Sequence, residues 1–90
     1  MSADNEIAIL EIENSKTREF HWLVAEVSCS CMPSNPRIDD KGKQEYVIKY
    51  FNGLNAEKFT YEFGAFWYAE YLYQTSDFVE YGITTYYILH

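Results

Sequence analysis

Long apolar runs and a leader segment are both missing from this sequence. No run of apolar residues comes near the roughly 20 that a membrane-spanning helix needs. Residues 1–6, M-S-A-D-N-E, contain no basic segment followed by an apolar one, so they do not predict a signal peptide. We therefore expect a cytoplasmic protein with no membrane partner.

Glycine, and the motifs built on it, are scarce as well. The chain has four glycines and none of the patterns G-x-x-x-x-G-K-[ST], G-x-G-x-x-G and G-x-S-x-G, which form phosphate cradles and nucleophile elbows. The adjacent Asp39 and Asp40 fall in a predicted loop, where paired acids usually serve turn formation. The sequence therefore predicts no cofactor and no enzymatic activity.

Metal-binding residues are too few for a recognisable metal motif, since the chain has two cysteines and two histidines. Cys29 and Cys31 would point the same way on a strand, and with His21 or His90 they offer one alternative metal site. Structural zinc sites, however, usually separate their cysteines by about two to four residues and use a second pair. We therefore expect two free thiols, no bound metal and a structural role for His21, which has no visible catalytic partner.

Positive charge is also scarce, and it is unevenly distributed. Seven Lys and Arg residues stand against fourteen Asp and Glu residues, which gives a net charge of −7. Lys58 is the last Lys or Arg, whereas Glu62, Glu70, Asp77 and Glu80 all follow it. This balance disfavours direct nucleic-acid binding through phosphate neutralisation, and it attracts a basic surface. The alternative is that acidity only keeps a small protein soluble.

Aromatic side chains, by contrast, are abundant. They make up 19% of the 90 residues, and seven of the nine tyrosines follow Lys58. Hydrophobic residues make up 48% and charged residues 23%, which is typical of a globular chain rather than a disordered one. This length predicts a single domain over residues 1–90 with one modest core.

Hydrophobic patterning and chain breakers predict five regular elements. These are strands over residues 6–13, 19–31, 44–51 and 78–90, and a helix over about residues 61–74. Residues 32–43, which contain both prolines, predict a long loop. Asn52-Gly53 predicts a reversal after the third strand, and Gly82 predicts a bulge or bend in the last one. The order β-β-β-α-β predicts an α+β fold in which a helix packs on one face of a four-stranded antiparallel sheet.

Residues 58–73, K-F-T-Y-E-F-G-A-F-W-Y-A-E-Y-L-Y, are the segment around which the chain is organised. We expect the Thr60 hydroxyl to cap the helix. Steps of about 100° per residue bring Ala65, Tyr68, Ala69 and Leu72 to one side, which we expect to face the sheet. The predicted partner-binding residues on the remaining surface are Glu62, Phe63, Phe66, Trp67, Glu70, Tyr73 and Gln74. The alternative is a rotated helix whose aromatic residues cover the core.

The combined features favour a binding protein. We expect the acidic, aromatic face to dock on a protein partner with a basic surface, one that normally holds nucleic acid, so that the chain acts as an inhibitor or regulator. In compactness, acidity and lack of catalytic motifs the chain resembles small phage-encoded anti-defence proteins and toxin immunity proteins. Two alternatives stay open. One is a self-associating structural module with this face as a homodimer interface; the other is a ligand-binding or enzymatic domain with an aromatic-lined cavity near His21, Trp22 and Trp67.

Overall fold

Four strands and two α-helices make up the part of the chain that the computed structural model describes, residues 4–77 and 79–90. In chain order they are β1 (Asn5–Glu13), β2 (Phe20–Ser28), α1 (Lys41–Gly53), β3 (Glu57–Phe59), α2 (Glu62–Thr75) and β4 (Val79–Leu89). The predicted α+β class is confirmed, together with the first, second and last strands and the helix at residues 61–74. Phe78, where the predicted last strand begins, lies outside the described residues.

The strands form one sheet in the order β3-β2-β1-β4. β2 is antiparallel to both β1 and β3, but β4 runs parallel to β1. The sheet is therefore mixed, and the prediction of an all-antiparallel sheet is wrong. The reason is the connection: β3 and β4 run in the same direction at opposite edges, and strands of equal direction need a crossover such as a helix between them. α2 is that crossover.

The predicted third strand at residues 44–51 is wrong, because this segment lies inside α1. Asp40 caps the helix, since its Oδ1 accepts a hydrogen bond from the backbone N–H of Lys43 at 2.9 Å. The buried residues of α1, which follow at intervals of three and four, are Gln44, Val47 and Phe51. This spacing is helical. Asn52-Gly53 accordingly ends a helix instead of forming a hairpin turn.

Each face of the sheet carries one helix, so the molecule has three layers. The apolar cluster on the α1 side contains Ala8, Leu10, Ile12, Leu23, Ala25, Val27, Val47, Phe51, Tyr86 and Ile88. The cluster on the α2 side contains Ile7, Ile9, Trp22, Val24, Ala65 and Ala69. β2 contributes apolar side chains to both clusters, so both of its faces are apolar. Neither α1 nor α2 in the described chain combines the length and apolarity needed to cross a membrane.

The loop that the sequence predicts at residues 32–43 ends at residue 40, where α1 takes over. Met32 and Ile38 are buried in the α1-side cluster. The loop also bonds to the outer edge of β4, because Tyr87 N–H donates to the Pro36 carbonyl at 2.8 Å and Ile38 N–H donates to the Tyr87 carbonyl at 3.0 Å. This loop therefore covers part of an edge strand that would otherwise present free backbone groups.

The bulge or bend predicted at Gly82 is confirmed as an irregularity in the pairing of β4 with β1. Gly82 has a φ of 76°, a conformation that favours glycine. Asn5 and Ile7 of β1 pair with Val79 and Ile83 of β4. β4 therefore advances by four residues over a stretch in which β1 advances by two. The extra residues form an irregularity that interrupts the ladder near the start of β4.

Candidate functional site

The buried side of α2 is the side that the sequence predicts. Ala65 and Ala69 are completely buried, and Tyr68 and Leu72 pack against the same cluster. Because alanine adds only a methyl group, α2 lies close to the two central strands. The predicted cap is wrong, however: Tyr61 occupies the N-cap position and makes no capping hydrogen bond with its side chain.

The outer side of α2 exposes large aromatic rings. Relative exposure is 77% for Phe63, 68% for Trp67, 45% for Phe66 and 44% for Tyr73. The remaining predicted site residues, Glu62, Glu70 and Gln74, are exposed as well. The structure therefore brings all seven together on the solvent side of one helix. The alternative orientation, with these rings over the core, is wrong, because the two alanines occupy that position.

A shallow apolar groove on one flank of α2 was not predicted. It has a volume of about 530 Å³ and is lined by Phe59, Phe63, Gly64, Trp67, Tyr68 and Tyr71. The Phe59 and Tyr68 ring centroids are 5.5 Å apart, and the nearly parallel Tyr68 and Tyr71 rings are 6.2 Å apart. These rings form a continuous row from the edge strand β3 to the exposed side of α2.

Gly64 allows the Phe59 ring to approach α2 closely. A Cβ atom at this position would lie 3.2 Å from Cδ2 of Phe59, so a side chain here would require the Phe59 ring to shift by a few tenths of an ångström. A glycine inside a helix usually lowers its stability by about 0.5–1 kcal/mol relative to alanine. A glycine two residues after the start of α2 is therefore the sequence feature that would have indicated the close approach of another group to the helix.

A second depression adjoins the groove. It has a volume of about 350 Å³ and is lined by Trp67, Glu70, Tyr71 and Gln74. We call it the Trp67–Gln74 niche. Trp67 and Tyr71 line both the niche and the groove. They are at positions i and i+4 on α2, so they are neighbours on the helix surface. Glu70 and Gln74 are related in the same way, and they give the niche a carboxylate and an amide.

The charged side chains of α2, Glu62 and Glu70, are both acidic. Glu62 and Glu70 make no ion pair or side-chain hydrogen bond within the described residues. Lys58 is close in sequence, but it pairs with Leu23 across the sheet whereas Phe59 pairs with Trp22. Because side chains alternate along a strand, Lys58 points to the opposite face from the groove. The outer side of α2 therefore presents rings and carboxylates without a cation.

Comparison with protein-family models, curated proteins and solved structures finds no match. Function has to be inferred from the surface itself.

The cysteines lie outside this surface. Cys29–Cys31 forms a short 3-10 turn rather than the end of a strand, so the prediction that both thiols point the same way along a strand is wrong. Both cysteines are free. Partial burial and the Glu6 and Asp4 carboxylates raise the pKa of the Cys29 thiol, which disfavours the reactive thiolate. Within the described residues, no group of three His, Cys, Asp or Glu side chains is arranged to hold a metal ion.

His21 and Trp22 cannot both line a cavity with Trp67. They are consecutive residues of β2, so their side chains point to opposite faces of the sheet. Partial burial, followed by the charges of Lys58 and His90, lowers the pKa of His21. The indole N–H of Trp22 donates to Glu11 Oε1 at 3.1 Å. The cavity that the ligand-binding alternative requires is therefore not formed by these three residues.

Proposed function

We propose that this chain is a small inhibitor or regulator that docks the outer side of α2 on a protein partner with a basic surface. The observation that carries the proposal is one contiguous helix surface on which Phe63, Phe66 and Trp67 are exposed beside the unpaired carboxylates of Glu62 and Glu70. Isolated exposed apolar residues are ordinary, whereas contiguous ones usually mark an interaction surface.

The two kinds of side chain support different parts of docking. Trp, Tyr and Phe are enriched in the buried centre of protein interfaces, where a few such residues carry most of the binding energy. Carboxylates mainly accelerate encounter with a positively charged partner and reject negatively charged ones. A surface with both is therefore suited to a basic partner.

The basic surface that we propose is one that normally holds nucleic acid. Such surfaces bind phosphates through Lys and Arg and bind bases through stacking on aromatic rings. The carboxylates of α2 offer those cations an alternative to phosphate. An inhibitor of this kind needs no chemistry of its own, because occupying the surface is enough to block it.

Charge also bears on the alternative of a homodimer. A symmetric dimer through α2 brings the same surface of both copies together, so Glu62 and Glu70 of one copy would approach those of the other. Such like-charge contacts are unfavourable. We expect sedimentation at increasing concentration to show a monomer; a dimer that Trp67→Ser dissociates would instead favour the self-associating module.

Docking is tested by using the chain as bait in its native cells and then measuring its affinity for the captured, purified partner. Replacing one anchor at a well-packed interface costs about 2 kcal/mol or more, so Trp67→Ser is expected to weaken binding about 30-fold. The matched control is Tyr81→Ser, which removes an exposed ring of β4 and is expected to leave the affinity unchanged. Equal loss in both variants would contradict a surface centred on α2.

The charge argument is tested by association kinetics with the same partner. Glu62→Lys plus Glu70→Lys is expected to slow association and to reduce its dependence on salt. The control pair, Glu19→Lys plus Glu45→Lys, makes the same change in net charge at exposed positions outside α2. A nucleic acid bound to the partner is expected to be displaced by the unmodified chain. Unchanged kinetics in the α2 pair, or simultaneous binding of nucleic acid and chain, would contradict the proposal.

A further inference from the structure

We infer that the Trp67–Gln74 niche takes an arginine side chain of the partner, with its guanidinium group against Trp67 or Tyr71 and paired with Glu70. This inference rests on the proposed docking function and specifies what the basic surface presents. Its support comes from the residue types that line the niche, the position of the groove beside it and the unpaired state of Glu70.

The walls of the niche are suited to a cation. Trp67 and Tyr71 are 68% and 55% exposed, so their rings remain open to a ligand. A cation over an aromatic face is attracted by the negative charge of the ring, and tryptophan is the best ring for this contact. Two such rings on successive turns of one helix offer a cation more than one face.

The polar residues of the niche favour arginine over lysine. The Glu70 side chain has no hydrogen bond or ion pair within the described residues, so both carboxylate oxygens are free to accept. A guanidinium group is planar and presents several N–H donors in a fixed fork, so it can pair with a carboxylate through two bonds while stacking on a ring. The amide oxygen of Gln74 can accept a further bond. An ammonium group is a point charge and cannot stack in this way.

The groove next to the niche provides a surface for the apolar part of the partner's arginine side chain. The lining of the groove is aromatic apart from Gly64, and it contains no charged residue. The apolar methylene stem of an arginine, or an apolar residue beside it in the partner, can therefore bury surface between Phe59 and Tyr71 while the charged head stays in the niche. The two depressions share Trp67 and Tyr71, so a single extended segment can occupy both.

The inference is tested by nuclear magnetic resonance on the full chain, titrated with three short peptides. In these peptides a single arginine, lysine or citrulline is flanked by glycines. The indole N–H signals of the two tryptophans are followed, and Trp67→Phe assigns them. The arginine peptide is expected to shift the Trp67 signal, to bind about threefold more tightly than the lysine peptide, and to leave Trp22 unshifted, because the Trp22 indole N–H is bonded to Glu11. The uncharged citrulline peptide is expected to produce no saturable shift.

Two variants of α2 distinguish a specific effect of the niche from a general effect of negative charge. Glu70→Gln is expected to weaken the arginine peptide about threefold to fivefold, whereas Glu62→Gln removes the same charge outside the niche and is expected to have a smaller effect. Equal affinity for arginine and lysine, equal effects of the two variants, or an unshifted Trp67 signal would each overturn the inference. If the captured partner nevertheless requires Trp67, docking on α2 stands and only the arginine assignment fails. If the partner does not require Trp67, docking itself fails.

Discussion

Glu6 is a buried carboxylate at the start of β1, and both of its oxygens accept hydrogen bonds from β4. Thr84 Oγ1 donates to Glu6 Oε1 at 2.6 Å, and the Tyr86 hydroxyl donates to Glu6 Oε2. Burial and the neighbouring Glu6 carboxylate raise the pKa of Tyr86, so its hydroxyl stays a donor. A buried charged group is tolerated only when it is paired or hydrogen-bonded, and here both donors come from the strand that runs parallel to β1.

Tyr86→Phe is expected to lower the free energy of unfolding by about 1.5–3 kcal/mol, the usual range for a hydrogen bond to a charged group. The substitution keeps the ring, which packs in the α1-side cluster, and removes only the donor. The measurement is urea unfolding. Tyr81→Phe, at an exposed position of the same strand, is the control and is expected to change little. Comparable losses in the two variants would mean that the Glu6 contact does not stabilise the fold.

The lowered pKa of His21 predicts a pH dependence of stability. Above its ordinary pKa of 6.5 the imidazole is neutral in both states, and its contribution is complete. As the pH falls below that value, the unfolded chain binds a proton more readily than the folded one, so stability declines towards the lowered folded pKa.

His21→Gln is expected to remove this decline. The unfolding free energy of the original chain minus that of the variant should therefore become smaller as the pH is lowered from 7 to 5. Carboxylates contribute equally to both proteins and cancel in the difference. His90→Gln removes only the smallest of the three causes of the shift and is expected to retain most of the pH dependence. A constant difference across this range would show that His21 titrates normally.

Residue identity explains why the exposed rings were predictable and the groove was not. Ala65 and Ala69 fix the buried side of α2, and helix geometry then assigns Phe63 and Trp67 to solvent without further information. The groove depends on Phe59, which belongs to a strand, meeting Gly64, which belongs to a helix. That contact crosses an element boundary and has no periodicity.

At the scale of elements, α1 shows where patterning is ambiguous. Tyr46, Val47 and Ile48 are β-prone in isolation, and they suggest a strand. The helix forms nevertheless, because Asp40 caps it and its buried residues recur at helical intervals. Tertiary packing outweighs the local preference, which is a weak one. The parallel pairing of β4 was likewise unpredictable from any single strand, since it depends on where α2 delivers the chain.

The irregularity in β4 predicts a loss of stability that arises from backbone conformation alone. A Cβ atom added at Gly82 would meet no atom within 4 Å, but the φ of 76° is strained for any other residue. Gly82→Ala is therefore expected to destabilise the protein by about 1–2 kcal/mol. Gly53→Ala is the control, because this position in α1 also has free space and no positive φ; it is expected to be neutral or stabilising by up to about 1 kcal/mol. Thermal unfolding of both variants shows whether each substitution raises or lowers stability. A Gly82→Ala variant as stable as the original protein would contradict backbone strain at this position.

At the scale of the whole molecule, charge is divided between the layers. Arg37, Lys41, Lys43 and Lys49 lie in α1 or in the loop before it, and α1 packs on the face of the sheet opposite to α2. The same segment also contains three acidic residues, Asp39, Asp40 and Glu45, so it is only slightly basic, whereas the charged side chains of α2, Glu62 and Glu70, are both acidic. For the docking that we propose, this distribution would turn α2 towards a basic partner before contact. Composition alone indicated the acidity, whereas the division between layers required the fold.

The crossover position of α2 has a mechanical consequence. One end of the helix is joined to β3 and the other to β4, at opposite margins of the sheet, and its alanines are pinned against the two strands between them. Displacing the helix would expose Ala65, Ala69 and the apolar strand residues beneath them. In the docking that we propose, Trp67 would be presented by a helix that is joined to the sheet at both ends, so association would remove little conformational freedom beyond what folding already removes.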